Sequence, residues 1–136
     1  MAINSFRGNY DFLSNFYNAP VTYNGVRFRN NEAAFQAQKD TNRAHEFTNL
    51  TGADAKRLGR HVNLRSDWNS VRIRIMTDIV RAKFTQNGDL KQRLLATGNE
   101  DLIEGNTWHD TFWGVCNGQG QNNLGRILMQ IRSELR

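Results

Sequence analysis

Residues 67–87 read DWNSVRIRIMTDIVRAKFTQN, the longest run of helical periodicity in the chain. Trp68, Val71, Ile75, Ile79 and Ala82 recur three or four residues apart, and Ile73, Met76, Val80 and Phe84 widen the apolar stripe. The spacing predicts a helix from Asp67 to about Asn87 that is buried on much of its circumference, with Gly88 as its stop. On the C-terminal side, Leu90, Leu94 and Leu95 fit a shorter helix stopped by Gly98, and Leu102-Ile103-Glu104 reads as a short strand or extended piece. A last helix, Asn123 to Leu135, sets Leu124, Ile127, Leu128, Ile131 and Leu135 on one face. On the N-terminal side, Thr51 caps a helix that Gly59 ends. Asn30 or Asn31 caps another over Glu32 to Asp40, where Glu32 suits the positive end of the helix dipole. Before it, Val21 to Phe28 places β-forming residues on both sides of Asn24-Gly25, the pair that best tolerates the positive φ of a type I′ turn, and so predicts a hairpin. The fold class is helix-dominated α+β with a small N-terminal β-hairpin.

The chain has 136 residues, 38% of them hydrophobic and 23% charged, with a single proline and no low-complexity stretch or internal repeat. These values fit one domain over residues 1–136 with no linker. The first residues, Met1-Ala2-Ile3-Asn4-Ser5-Phe6-Arg7, hold no apolar segment of signal-peptide length, and no apolar run approaches the length of a membrane span. A soluble, cytoplasmic protein with no membrane partner is the expectation. One cysteine, Cys116, makes no internal disulfide, and His45, His61 and His109 have no metal-ligand spacing, so neither a metal nor another cofactor is indicated.

The net charge is +5. Its excess is local, for residues 56–83 hold eight basic residues against Asp67 and Asp78, a segment charge of +6. Such a field favours a phosphorylated small molecule or a nucleic acid. A solvated basic helix face is the alternative, and charge alone leaves both open.

Three stretches have the residue types for chemistry. Glu32, Phe35, Gln36 and Lys39 fall on one helical face, with about 10 Å between the first and last. That separation suits two groups holding one extended ligand; a solvent-facing polar stripe with Phe35 tucked beneath it is the other reading. The second stretch, Glu104 to Gly114, combines Trp108, His109, Asp110 and Trp113 beside glycine. One tryptophan is expected to plug the core and the other to touch a ligand, and Asp110 is the better acid/base candidate because nearby rings can desolvate a carboxylate. The third, Gly118 to Gly125, places glycines before the last helix, where backbone N–H groups and the helix dipole suit a phosphate. From the residues alone a plain helix-entry loop is the favoured reading, since the spacing matches neither a P-loop nor a dinucleotide fingerprint.

Seven blocks occur in order: Phe12 to Phe16 (FLSNF), Glu32 to Lys39 (EAAFQAQK), Ala55 to Arg60 (AKRLGR), Asp67-Trp68, Ala82 to Phe84 (AKF), Trp108 to Gly114 (WHDTFWG), and Gly118 to Gly125 followed by Ile127-Leu128-Met129. Together they closely resemble the NADAR, or YbiA-like, family over nearly the whole chain. The resemblance implies one helix-rich domain acting on N-glycosidic bonds of ribose-phosphate or ADP-ribose compounds. In such proteins the substrates are ADP-ribosylated guanine in nucleic acid or phosphorylated intermediates of riboflavin synthesis. Carried over residue by residue, the site comprises Glu32, Lys39, Trp68, Asp110 and Trp113, with Asn15 and the glycine-rich stretch as ligand contacts. His109 lies where the family varies and takes no role.

On this reading the catalytic residues are Glu32, Lys39 and Asp110, and the substrate contacts are Asn15, Phe35, Trp68, Trp113, Gly118, Gly120 and Asn123. Glu32 and Asp110 serve as acid and base for the leaving nitrogen and the oxocarbenium-like centre. Lys39 forms a Schiff base with the ribosyl C1′, which requires a lowered amine pKa. The favoured partner is ADP-ribosylated nucleic acid, and the alternative is a nucleotide-like small molecule such as a riboflavin intermediate. A non-catalytic module that binds ADP-ribose or NAD is the third reading.

Overall fold

The computed structural model describes residues 2–136, in which two compact units are resolved: residues 15–87 form one, and residues 2–14 with 88–136 form the other. The first unit is thus inserted in the chain between the two segments of the second.

In the inserted unit, β2 (Asn18–Tyr23) and β3 (Val26–Asn30) make the antiparallel hairpin, with a register irregularity between Asn18 and Val21. Asn24 and Gly25 turn it with φ of 50° and 78°, the pair of positive values that a type I′ turn needs. Three helices follow: α1 (Asn31–Ala37), α2 (Gly52–Leu58) and α3 (Trp68–Gln86), with a 3₁₀ segment at Thr41–Phe47. The Oδ1 of Asn30 accepts from Ala33 N–H at 2.8 Å, which makes Asn30 the cap of α1. Thr51 caps α2 through its hydroxyl, which accepts from Asp54 N–H, and Gly59 ends that helix. The predicted span of α1 is too long: the helix stops at Ala37, and Gln38, Lys39 and Asp40 donate back three residues instead of four, a tighter turn that satisfies the terminal carbonyls.

The core of this unit sets Val21 and Phe28 of the hairpin against Ile75, Met76, Ile79, Val80 and Phe84 of α3, all at most 5% exposed. Two positions of the α3 pattern depart from expectation. Ile73 is exposed although it lies in line with Val80 and Phe84, two and three turns before them, and Lys83 is buried where the helix packs against the hairpin.

In the other unit, β1 (Ala2–Ile3) pairs in parallel with β4 (Asp101–Leu102), and a 3₁₀ segment spans Gly8–Leu13. Two helices complete it, α4 (Gly88–Ala96) and α5 (Asn123–Leu135), so Gly88 begins a helix as well as following one. The α5 face carrying Leu124, Ile127, Leu128 and Ile131 is buried, as its spacing predicts. Gly125 lies against β4, where a Cβ would overlap the Leu102 carbonyl oxygen. Backbone oxygen cannot swing aside, so Gly125→Ala is expected to cost about 1–3 kcal/mol. Thermal unfolding of that variant measures it; a melting temperature equal to the parent's would refute the close approach. No helix among the described residues is long and apolar enough to cross a membrane.

Candidate active site

In the inserted unit, α1 presents its polar residues inward. Glu32, Phe35 and Gln36 are all buried, which removes the reading of a solvent-facing stripe. The chain approach fixes them: the Asn15 carbonyl accepts from Glu32 N–H at 3.0 Å, and Asn15 Nδ2 donates to Met76 Sδ at 3.5 Å. Asn15 therefore anchors the start of α1 to α3. Four residues on from Glu32, Gln36 donates from Nε2 to Glu32 Oε2 at 2.7 Å and fixes the carboxylate. Gln36 Oε1 has no partner and sits against Gly59.

That contact makes a sharp prediction. A Cβ on Gly59 would overlap Gln36 Oε1, and the flexible amide is the group that moves, breaking its bond to Glu32. Gly59 has an ordinary helical φ, so the backbone tolerates alanine. Gly59→Ala is expected to lower turnover about tenfold with little change in melting temperature. Full activity would show that Gln36 does not orient Glu32.

Lys39 lies just beyond α1, half-buried, with its amine 5.8 Å from the centre of the Trp68 ring. Trp68, at the start of α3, also packs on Phe35 at 5.0 Å between ring centres. Burial holds the Lys39 pKa below the ordinary lysine value; Glu32 opposes that effect, and Arg60 and Lys56 add to it. The ring face attracts the charged form, though 5.8 Å is near the limit for such attraction. The segment after α2 is tied to the Lys39 turn twice, by Arg65 N–H to the Lys39 carbonyl and by Asn63 N–H to Asp40 Oδ2.

Asn15, Glu32, Phe35, Lys39 and Trp68 thus all belong to the inserted unit. The remaining candidates belong to the other unit, in the chain leading to α5. Asp110 Oδ1 accepts from Phe112 N–H at 3.1 Å and Trp113 N–H at 2.9 Å, so this carboxylate shapes its own loop and has Oδ2 left for other work. Trp113 is half-buried, edge-on to Phe112, and Trp108 is half exposed with the Arg7 guanidinium 6.0 Å from its ring. Neither tryptophan is fully buried in the core. His109 stands with Nδ1 3.9 Å from Cys116 Sγ.

The glycine-rich stretch has structural reasons for its glycines. Asn117 and Gly118, with φ of 53° and 76°, form a second Asn-Gly turn closed by paired bonds between Cys116 and Gln119. Gly120 rests on the Gly114 carbonyl, where a Cβ would overlap backbone. The N–H groups of Asn123 and Leu124 at the start of α5 donate to the carbonyls of Phe112 and Trp113, and Asn123 Nδ2 donates to Phe112 O. The N–H groups of Asn123 and Leu124 are thus spent within the loop. Among the described residues no three His, Cys, Asp or Glu side chains gather as a metal site.

Three polar residues here were not singled out as site residues by the sequence. Gln36 carried a usable signal, four residues from Glu32 on one face. Lys83, 1% exposed, has its amine 5.6 Å from the Tyr17 ring and 5.1 Å from that of Phe84; its signal was a lysine placed inside an apolar stripe. Asn31 is 1% exposed and neither atom of its amide has a hydrogen-bond partner, a costly state that gave no sequence signal.

Comparison with known proteins adds to this geometry. A family profile described as NADAR domain matches residues 4–136. The chain is 43% identical over 133 residues to a riboflavin biosynthesis protein of Vibrio vulnificus, covering 93% of this chain but only 36% of that protein. It is 37% identical over 132 residues to the N-glycosidase YbiA of Escherichia coli, covering 93% of this chain and 82% of YbiA. The NMR structure of Escherichia coli YbiA matches it with a TM-score of 0.86 at 35% identity, covering 99% of this chain and 83% of that one. Sequence similarity along almost the whole length and a shared solved fold lead to one assignment: the chain belongs to the NADAR domain family.

Proposed function

We propose that this chain is an N-glycosidase that cleaves a ribosyl C–N bond, and that its substrate is ADP-ribosylated guanine in nucleic acid, from which it releases ADP-ribose. The observation that carries the reading is the setting of Lys39. Its amine is half-buried against Trp68, it holds its proton less tightly than an ordinary lysine, and it lies in the field of a buried carboxylate that Gln36 orients. The relatives named N-glycosidase supply the reaction class.

In the proposed route the neutral Lys39 amine bonds to C1′ as the C1′–N bond breaks, its electron pair leaving with the base nitrogen. That nitrogen takes a proton from an acid, for which Glu32 and Asp110 are the candidates. The new amine loses a proton, the ring oxygen leaves C1′ and is protonated, and a protonated imine results. Water adds at that carbon and expels Lys39, freeing the sugar. Lys83 is the other amine with an unusual setting, but at 1% exposure it is closed to a substrate, whereas Lys39 is open on one side. The basic run over residues 56–83 supports an anionic nucleic-acid strand as the carrier of the modified base.

A second reading has its own support, since relatives from Vibrio vulnificus and Zea mays are named riboflavin biosynthesis proteins. In it the same groups cleave a phosphorylated riboflavin intermediate. Mass spectrometry of an oligonucleotide carrying ADP-ribosylated guanine separates the readings. Released ADP-ribose supports the first. No release, with cleavage of phosphorylated riboflavin intermediates, replaces it with the second. Binding of ADP-ribose with neither cleavage would make the protein a non-catalytic module.

A further inference from the structure

We propose that Lys56 and Arg60 form the subsite for the substrate's phosphate, next to the Glu32, Gln36 and Lys39 group; the proposal rests on the N-glycosidase reading for the identity of the substrate but not for the existence of the subsite. Both readings of the substrate place phosphate on the ribosyl group, so the shared ligand chemistry is a ribosyl phosphate, either a monoester or the diphosphate of ADP-ribose.

The +6 segment becomes much less uniform once its ion pairs are assigned. Arg57 pairs with Asp54 at 2.6 Å, Arg65 with Asp67 at 2.6 Å, and Arg81 with Asp78 at 3.3 Å. Lys56 and Arg60 are exposed, and among the described residues neither side chain has a hydrogen bond or ion pair. They stand three residues before and one after Gly59, the residue that lies against Gln36 Oε1, at the end of α2, the helix that packs on α1. The chain beyond Arg60 is then held to the Lys39 turn through Asn63 and Arg65.

Two further cations thus lie on or just past α2, the helix that packs against α1, and Lys39 follows α1. Lys56 and Arg60 each make the Lys39 proton somewhat easier to lose, after the larger effect of burial. Like charges so arranged repel one another, and the carbonyl end of α2 offers only partial compensation. A bound phosphate dianion would neutralise two of them and leave Lys39 beside C1′. The N–H groups of Asn123 and Leu124 at the start of α5 are spent within their own loop, whereas these two side chains are free.

The test measures binding without turnover. Calorimetry with ribose 5-phosphate, ADP-ribose and unphosphorylated ribose is run on the parent protein, the Lys56→Gln/Arg60→Gln variant and the Arg57→Gln variant. The expected result is tenfold or greater loss of affinity for the phosphorylated probes in the double variant, with less than a twofold change in Arg57→Gln, whose cation is already paired. The probe that loses more identifies a monoester or a diphosphate as the ligand. Absence of saturable binding of both probes to the parent, binding of ribose as tight as that of ribose 5-phosphate, or equal affinity in the double variant would each overturn the subsite. Should the parent bind the phosphates yet cleave no glycosidic bond, the N-glycosidase reading fails and the subsite stands.

A second readout is specific to this geometry. Removal of the two cations raises the Lys39 pKa, so the pH at which the Lys39 amine becomes reactive to a lysine-modifying reagent moves upward in the double variant. Circular dichroism confirms folding, and an unmoved Lys39 titration would contradict the placement of the two cations.

Discussion

Replacing Lys39 with alanine is expected to lower the rate of C–N cleavage about a thousandfold or more, equivalent to about 4 kcal/mol of transition-state stabilisation. The side chain lies at the end of a turn whose backbone bonds do not involve it, so the fold should persist and the loss should appear in kcat. Borohydride reduction during turnover is expected to trap the sugar on the parent protein, adding its mass to the peptide that contains Lys39, and to trap nothing on Lys39→Ala. Turnover by the alanine variant at the parent rate would eliminate the covalent route. Because the Lys39 pKa is lowered, the parent rate should rise with pH through a midpoint below that of an ordinary lysine and level off once the amine is neutral.

The second large effect is expected from Glu32→Gln, a loss of about 100- to 10,000-fold, the usual range for a positioned acid or base. The amide keeps the size of the carboxylate and still offers an oxygen to Gln36 Nε2, so the buried hydrogen bond persists. Glu32 raises the Lys39 pKa, and its neutral replacement should move the rising limb of the pH profile to lower pH. That shift and the rate loss have different causes, proximity of charge and proton transfer. A variant that shifts the limb without losing rate would leave the acid role to Asp110. A rate loss matched by an equal fall in stability would mark Glu32 as structural.

The parts legible in sequence were those whose side-chain pattern matches their burial. The apolar face of α5 repeats cleanly from Leu124 to Ile131, and its bounds follow from that pattern and from the loop before it. Asn24-Gly25 announces its turn because few other pairs accept two positive φ values. The 3₁₀ segments at Gly8–Leu13 and Thr41–Phe47 are short and have no apolar repeat, so nothing in the spacing marks them. Asn117-Gly118 is as good a turn pair as Asn24-Gly25, but the glycines around it left its place in the loop unmarked. The site was harder to read because polarity normally signals exposure. Glu32, Gln36 and Lys83 are buried against that rule, and only the three-dimensional arrangement shows which polar residues face inward.

The pairing of β1 with β4 has a consequence for how the chain reaches this state. Ala2 and Ile3 have their strand partners at Asp101 and Leu102, about a hundred residues later. At ribosomal speeds of about 5–20 residues per second, the first strand waits about 5–20 s for its partner to be made. Residues 15–87 form a unit whose internal contacts need nothing from that strand pair. The last unit to close during synthesis is therefore the one that contains the chain's first residues, and a ribosome pause before Asp101 would prolong exposure of an unpaired strand edge.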